Sequence, residues 1–154
     1  MRGKCITLAL FLGLSLGMAL AEEPVAVVVQ TNNPVNSISM SNLREMFQCD
    51  RSAWPSGTRV KLFSRGVGTP EHNSMVRVLY HSSENEYNQM WVMKQIRGET
   101  SCKPTELPSK GMTIEALRAF PGALALIRLS EVTPEMKIVS VDGKKPDSPD
   151  YPLR

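Results

Sequence analysis

Seven consecutive residues, Arg65-Gly66-Val67-Gly68-Thr69-Pro70-Glu71, form the one local arrangement with a defined chemistry attached to it. A helix N-terminus presents unpaired N–H donors and the positive end of its dipole, and glycines let a backbone approach an anion closely. An arginine ending the preceding strand adds a bidentate cation. The pattern describes an anion-binding turn, with Arg65 as the charge and the Gly68 N–H and Thr69 hydroxyl as donors. Plain capping explains the same residues. Thr69 suits the N-cap, Pro70 the first helical position, and Glu71 the positive end of the dipole. Pro70 also removes one donor from the first turn. On the sequence alone both readings stand.

No second group of residues has the spacing of a catalytic or metal site. His72 falls in the first turn of the helix that begins at Pro70 and His81 just past its end, so the two do not converge. Both are expected in solvent. The serines lack the context of a nucleophile elbow, and the acids are spread singly. The expectation is a protein that is not an enzyme and carries no cofactor.

The elements that position the turn read as alternating strands and helices. Val25 to Val29 is a run of apolar, mostly β-branched residues bounded by turn formers, which predicts a buried strand. Ser39 caps a short helix carrying Leu43, Met46 and Phe47. Trp54-Pro55-Ser56-Gly57 is a tight loop, and Arg59 to Ser64 alternates as a second strand. The helix after Thr69 is expected to run to about Tyr80, with Met75, Val76 and Leu79 inward. Ser83-Glu84-Asn85-Glu86 is a capping box opening a helix with Tyr87, Met90, Trp91 and Lys94, which ends at Gly98. Residues 99–112 read as a polar loop, Thr113 to Phe120 as a helix stopped by Pro121-Gly122, and Ala123–Ile127 and Lys137–Val141 as strands. The tail from Gly143 has three prolines and little apolar mass. Trp54, Trp91 and Phe120 read as core or core-edge. The class is α/β or α+β.

The chain has 154 residues, 42% apolar and 21% charged, an ordinary globular composition. A net charge of +3 is too small and too scattered to argue for nucleic acid. Arg2 and Lys4, the uncharged run from Ile6 to Ala21 and the small-x-small triplet Ala19-Leu20-Ala21 compose a secretory signal peptide over residues 1–21. An uncleaved anchor helix is the competing reading, disfavoured by the shortness of the run and by Gly13 and Gly17. The expected product is a periplasmic or secreted protein with no membrane span. It would keep sixteen basic residues against fifteen acidic ones, because both residues lost from the basic count precede the cleavage point. Two cysteines would remain, Cys49 and Cys102. An even pair in an exported chain reads as a disulfide. Two free thiols are the alternative. A metal site with His72 and His81 matches no compact zinc spacing.

The order of several short motifs adds a resemblance. Val27-Val28-Val29, Asn33-Pro34-Val35, Ser39, Leu43-Arg44-Glu45-Met46-Phe47, Trp54-Pro55-Ser56-Gly57 and Arg65 come first. Trp91, Arg97-Gly98, Pro104, Phe120-Pro121-Gly122-Ala123-Leu124, Val141-Asp142-Gly143, Pro146 and Tyr151-Pro152-Leu153 follow. The set resembles the phosphate-binding proteins of phosphate ABC transporters, and more closely their short exported relatives described as periplasmic-binding-protein-like domains. The resemblance covers nearly all of residues 22–154. It implies an α/β fold, a single lobe of the type II periplasmic-binding-protein fold with a sheet flanked by helices. It also implies an exported, non-catalytic domain that binds phosphate or a similar oxyanion and is linked to ABC-type uptake. The family's anion turn, Arg-x-Asp-Gly-Ser-Gly-Thr, falls on Arg65, Gly68 and Thr69. Here the turn is two residues shorter and has neither the Asp nor the Ser. A single lobe offers half a site, so a partner protein supplying the facing surface is part of this expectation. The alternative is an envelope interaction or scaffold domain that keeps the fold without a ligand.

Overall fold

A computed structural model of the chain describes residues 22–154. The expected leader, residues 1–21, lies outside the described residues. Strand β1 (Val25–Gln30) sits inside a six-stranded sheet. Side chains alternate along a strand, so Val25, Val27 and Val29 enter one apolar layer while Ala26 and Val28 enter the other. An unbroken apolar run is what a strand covered on both faces requires.

The remaining elements are β2 (Ser37–Ile38), α1 (Met40–Gln48), β3 (Lys61–Ser64), α2 (Pro70–Ser74), α3 (Glu84–Ile96), β4 (Thr105–Glu106), α4 (Lys110–Ala119), β5 (Ala123–Arg128) and β6 (Met136–Val141). Their order across the sheet is β2-β6-β1-β5-β3-β4. β1 runs antiparallel to β5 and β6, whereas β3 is parallel to both β5 and β4. The first three helices cover one face, where Leu43, Phe47, Met75, Leu79, Tyr87 and Trp91 meet Leu62, Leu124 and Leu126. On the other, α4 packs Ala116 and Leu117 against Phe63, Ala125 and Ile127. The expected α/β sheet with helices on both faces is therefore present.

Helix starts agree with the sequence reading where a side chain makes the cap. Ser39 accepts from Asn42 N–H, and Ser83 and Glu86 form the reciprocal capping box, with Ser83 N–H donating to the Glu86 carboxylate at 2.8 Å. These bonds hold the Glu86 carboxyl below the usual carboxylate range. Four boundaries differ from expectation. The helix after Thr69 widens into a π-type turn over Met75–Leu79. α4 begins three residues early, capped by Ser109, and β4 lies inside the stretch read as loop. β3 is shortened to Lys61–Ser64, with Arg59 instead bridging Ala53.

The largest difference is the tail. Tyr151 and Leu153 are buried, Tyr151 donates its hydroxyl to Val25 O at 3.0 Å, and Val25 N–H donates to Leu153 O at 2.8 Å. Two apolar residues flanking a proline have no period to detect. They are core because they satisfy the start of a buried strand. Trp54 and Trp91 are buried as expected, whereas Phe120 is half exposed and leans on Phe63. Gly122 has a reason of its own: a Cβ there would collide with the Arg59 carbonyl, and its own carbonyl accepts from Lys61 N–H and from the Trp54 indole.

Cys49 and Cys102 are disulfide-bonded, with Cα atoms 5.6 Å apart across 53 residues of chain. The bond ties the end of α1 to the loop after α3, as the exported-pair reading expects. Cys49 holds the left-handed position (φ 78°) at which helices usually place glycine.

Candidate functional site

Arg65 follows β3 directly, and Arg128 ends its parallel neighbour β5. Both therefore emerge at the carboxyl ends of adjacent parallel strands, where open α/β sheets leave a crevice. The turn between Arg65 and α2 requires glycine at Gly68, whose φ is +84°. Thr69 caps α2: its Oγ1 accepts from His72 N–H at 3.3 Å and donates its own proton to Gly66 O at 2.8 Å. Arg65, Gly68 and Thr69 thus sit on one strand–turn–helix unit, as the sequence suggests. The proton that the Thr69 hydroxyl would offer an anion is already given to Gly66.

Arg65 is buried, with only 7% exposed. Its guanidinium is ion-paired with Glu131, and its Nε lies 3.7 Å from Glu71 Oε1. Arg128 meets the same two acids: Nη2 donates to Glu131 Oε1 at 2.6 Å, Nε is 3.4 Å from Glu71 Oε1, and its backbone N–H donates to Glu71 Oε1 at 3.1 Å. Two arginines and two glutamates form a closed, electrically neutral cluster. Burial works against the Arg128 charge, but Glu131, Glu71 and Glu23 outweigh it and raise its pKa. Glu71 is completely buried, and its Oε2 has no hydrogen-bond partner among the described residues. A further carboxylate borders the turn, since Glu106 Oε2 stands 3.3 Å from where a Cβ on Gly66 would be.

Sequence reasoning reached Arg65, Gly68 and Thr69 but missed Glu71 as an ion-pair partner, and missed Arg128 and Glu131 altogether. Glu71 was legible only as a residue for the helix dipole. Arg128 and Glu131 lie more than sixty residues from Arg65 and join it only through the β3–β5 pairing.

His72 corrects the expectation of a solvent-exposed imidazole. It is 1% exposed, its Nε2 lies 2.8 Å from Glu84 Oε2, and its ring stands edge-on to Tyr87. The reason is packing: α2 lies on the sheet beneath α3, so its first turn is covered. His81 is exposed, as expected. Tyr87 is pushed up to about 12 by burial. Among the described residues no cluster of His, Cys, Asp and Glu could hold a metal ion, and no helix is long and apolar enough to cross a membrane.

No protein-family model matches the chain, and no curated protein matches it. Solved structures do. An ABC-type phosphate transport receptor from Vibrio cholerae superposes with a TM-score of 0.66 at 14% identity, covering 85% of this chain and 53% of its own. PstS from Borrelia burgdorferi gives 0.63 at 14% identity, covering 85% and 54%. A protein from Clostridium perfringens, described as a phosphate ABC transporter substrate-binding protein and solved with bound phosphate, gives 0.62 at 15% identity, covering 80% and 46%. The chain spans about half the length of these proteins. Its sheet, its flanking helices and these superpositions together show that residues 22–154 carry a periplasmic-binding-protein-like α/β fold, structurally related to the substrate-binding proteins of phosphate ABC transporters.

Proposed function

We propose that the protein is an exported, non-catalytic binding lobe in which its own Glu131 occupies the place an anion would take on Arg65, so that the lobe works through a protein partner rather than as a free carrier of oxyanions. The observation that carries this reading is the closed cluster: both carboxylate oxygens of Glu131 are engaged, one by Arg65 and one by Arg128. A hydrogen bond between charged groups is worth roughly 1.5–3 kcal/mol, and a dissolved anion has to displace two of them. Glu131 is tethered a few residues from Arg128, which gives it a local concentration well above that of a millimolar solute. Glu106 beside the turn adds repulsion.

Replacing Glu131 with Gln removes the competing charge and keeps the shape. In calorimetric titrations with phosphate at low ionic strength, the wild type is expected to show little or no binding at this site. Glu131→Gln is expected to bind at least tenfold more tightly. Wild-type binding that is unchanged in Glu131→Gln would overturn the reading.

The fold supports a second reading, carriage of phosphate or a similar oxyanion for an ABC-type uptake system. Arg65, Gly68 and Thr69 would be its ligands, and a facing surface from another chain would complete the site. Under that reading the wild type itself binds, and Arg65→Gln loses ten- to a hundredfold in affinity.

Export with removal of residues 1–21 belongs to both readings. The Cys49–Cys102 bond supports it, because such bonds persist in oxidising compartments. N-terminal sequencing of the exported protein is expected to begin at Glu22; a product retaining Met1 would contradict it.

A further inference from the structure

Strand β5 leaves the sheet through a short 3-10 turn, Leu129–Glu131, which carries the carboxylate lodged between Arg65 and Arg128. The first N–H groups of a helical turn have no acceptor within it. Arg128 stands at the N-cap position, and its side chain makes no capping bond. Both donors are met instead by the arm that precedes β1. Leu129 N–H donates to Pro24 O at 2.9 Å, and Ser130 N–H donates to the Glu23 carboxylate at 2.9 Å. The arm reaches them because β1 and β5 run antiparallel with Val25 opposite Arg128. The same register carried outward sets Pro24 against Leu129 and Glu23 against Ser130. Glu22, one residue earlier, is ion-paired with Arg77. Hydrogen bonding by Ser130, with a smaller contribution from the Arg128 charge, holds the Glu23 carboxyl below the usual carboxylate range.

We propose that Glu23 is a positioning residue for the Arg65 site: it fixes the Leu129–Glu131 turn and so keeps the Glu131 carboxylate on the two arginines, in the place of a small oxyanion such as phosphate. The proposal rests on Glu131 standing in for an anion. Ser130 is exposed and precedes Glu131 directly, so loosening at Ser130 swings the carboxylate off the arginines. Within the turn, Val132 N–H donates to Leu129 O at 3.2 Å. Hydrogen bonds of the 3-10 type are poorly aligned, so the turn depends on contacts from outside it. The ion pairs of Arg65 and Arg128 go to Glu71 and Glu131, so Glu23 acts through the backbone of the turn. A tethered carboxylate outcompetes a dissolved anion only while its tether holds it in place, and each loss of order lowers its effective concentration at the arginines.

The test is an NMR titration with inorganic phosphate at low ionic strength, together with amide hydrogen exchange, on protein with no residues ahead of Glu22. Glu23→Ala is expected to speed exchange at Leu129 and Ser130 and to strengthen phosphate binding at the Arg65 turn about three- to tenfold over wild type. Glu23→Gln keeps an acceptor for the Ser130 N–H, so its gain should be smaller. In a Glu131→Gln background, Glu23→Ala should add nothing, because the carboxylate it positions is gone. A merely structural role for Glu23 would lower the affinity or leave it unchanged. Unaltered exchange at Ser130 in Glu23→Ala, equal gains from Gln and Ala, or a full gain in the Glu131→Gln background would each overturn the proposal. If Glu131→Gln binds more tightly while Glu23→Ala matches wild type, the brace is overturned and the role of Glu131 stands. If Glu131→Gln binds no better than wild type, both are overturned.

Discussion

Glu71→Ala is expected to destabilise the protein by about 3–5 kcal/mol, measured by urea unfolding at neutral pH. The expectation follows from what the carboxylate holds in place. Glu71 is fully buried, and its Oε1 faces both Arg65 and Arg128 while accepting the Arg128 backbone N–H at 3.1 Å. Its removal leaves Arg65, itself 7% exposed, with Glu131 as its only ion-pair partner among the described residues. It also strips an acceptor from a backbone donor. The helix-dipole contribution of an acid in the first turn of α2 is smaller, at most about 1–2 kcal/mol even when partly buried. A loss under 1 kcal/mol would show that the dipole role is the whole of it. Glu71→Gln keeps an acceptor for the Arg128 N–H, so it should cost less than Ala. Deleting Glu131 should also cost less, because its side chain is 23% exposed and water can replace part of what is lost.

The second large effect concerns the covalent tie. The Cys49–Cys102 bond closes a loop of 53 residues, for which loop-closure entropy in the unfolded chain gives a stabilisation of about 4 kcal/mol. Replacing both cysteines with serine should lower Tm by roughly 10–15 °C for a domain of this size. Mass spectrometry of the untreated protein should show two hydrogens fewer than the reduced chain. The two effects separate experimentally: the disulfide acts mainly on the unfolded state, Glu71 on the folded one. Calorimetric unfolding of the double serine variant with little change in Tm would mean that the reduced unfolded chain stays compact enough to need no cross-link.

Each feature legible in the sequence was one that local physics decides. The Val25–Val29 run specified a strand covered on both faces because five apolar residues in succession leave no polar side for water. Ser39, Thr69 and Ser83 marked helix starts because a cap is made within three residues of itself. Arg65, Gly68 and Thr69 were legible as a strand–turn–helix unit for the same reason. The cysteine pair was legible because, with residues 1–21 read as a leader, two thiols remain and have one another as the available partner.

What the tertiary structure decided depends on residues far apart in the chain. Whether Arg65 faces solvent or an internal carboxylate is set by β3 lying beside β5, which brings Arg128 and Glu131 across from a distance of more than sixty residues. His72 is buried because α3 folds over it, and Tyr151 and Leu153 are core because β1 has a backbone donor and acceptor left to satisfy. The sequence by itself thus determined four of the six strands, most of the capped helix starts and the residue types of the strand–turn–helix unit at Arg65. Only the fold determined what that turn is bonded to, because a buried charge takes its partner from whatever the packing brings within reach, and packing has no local period to read.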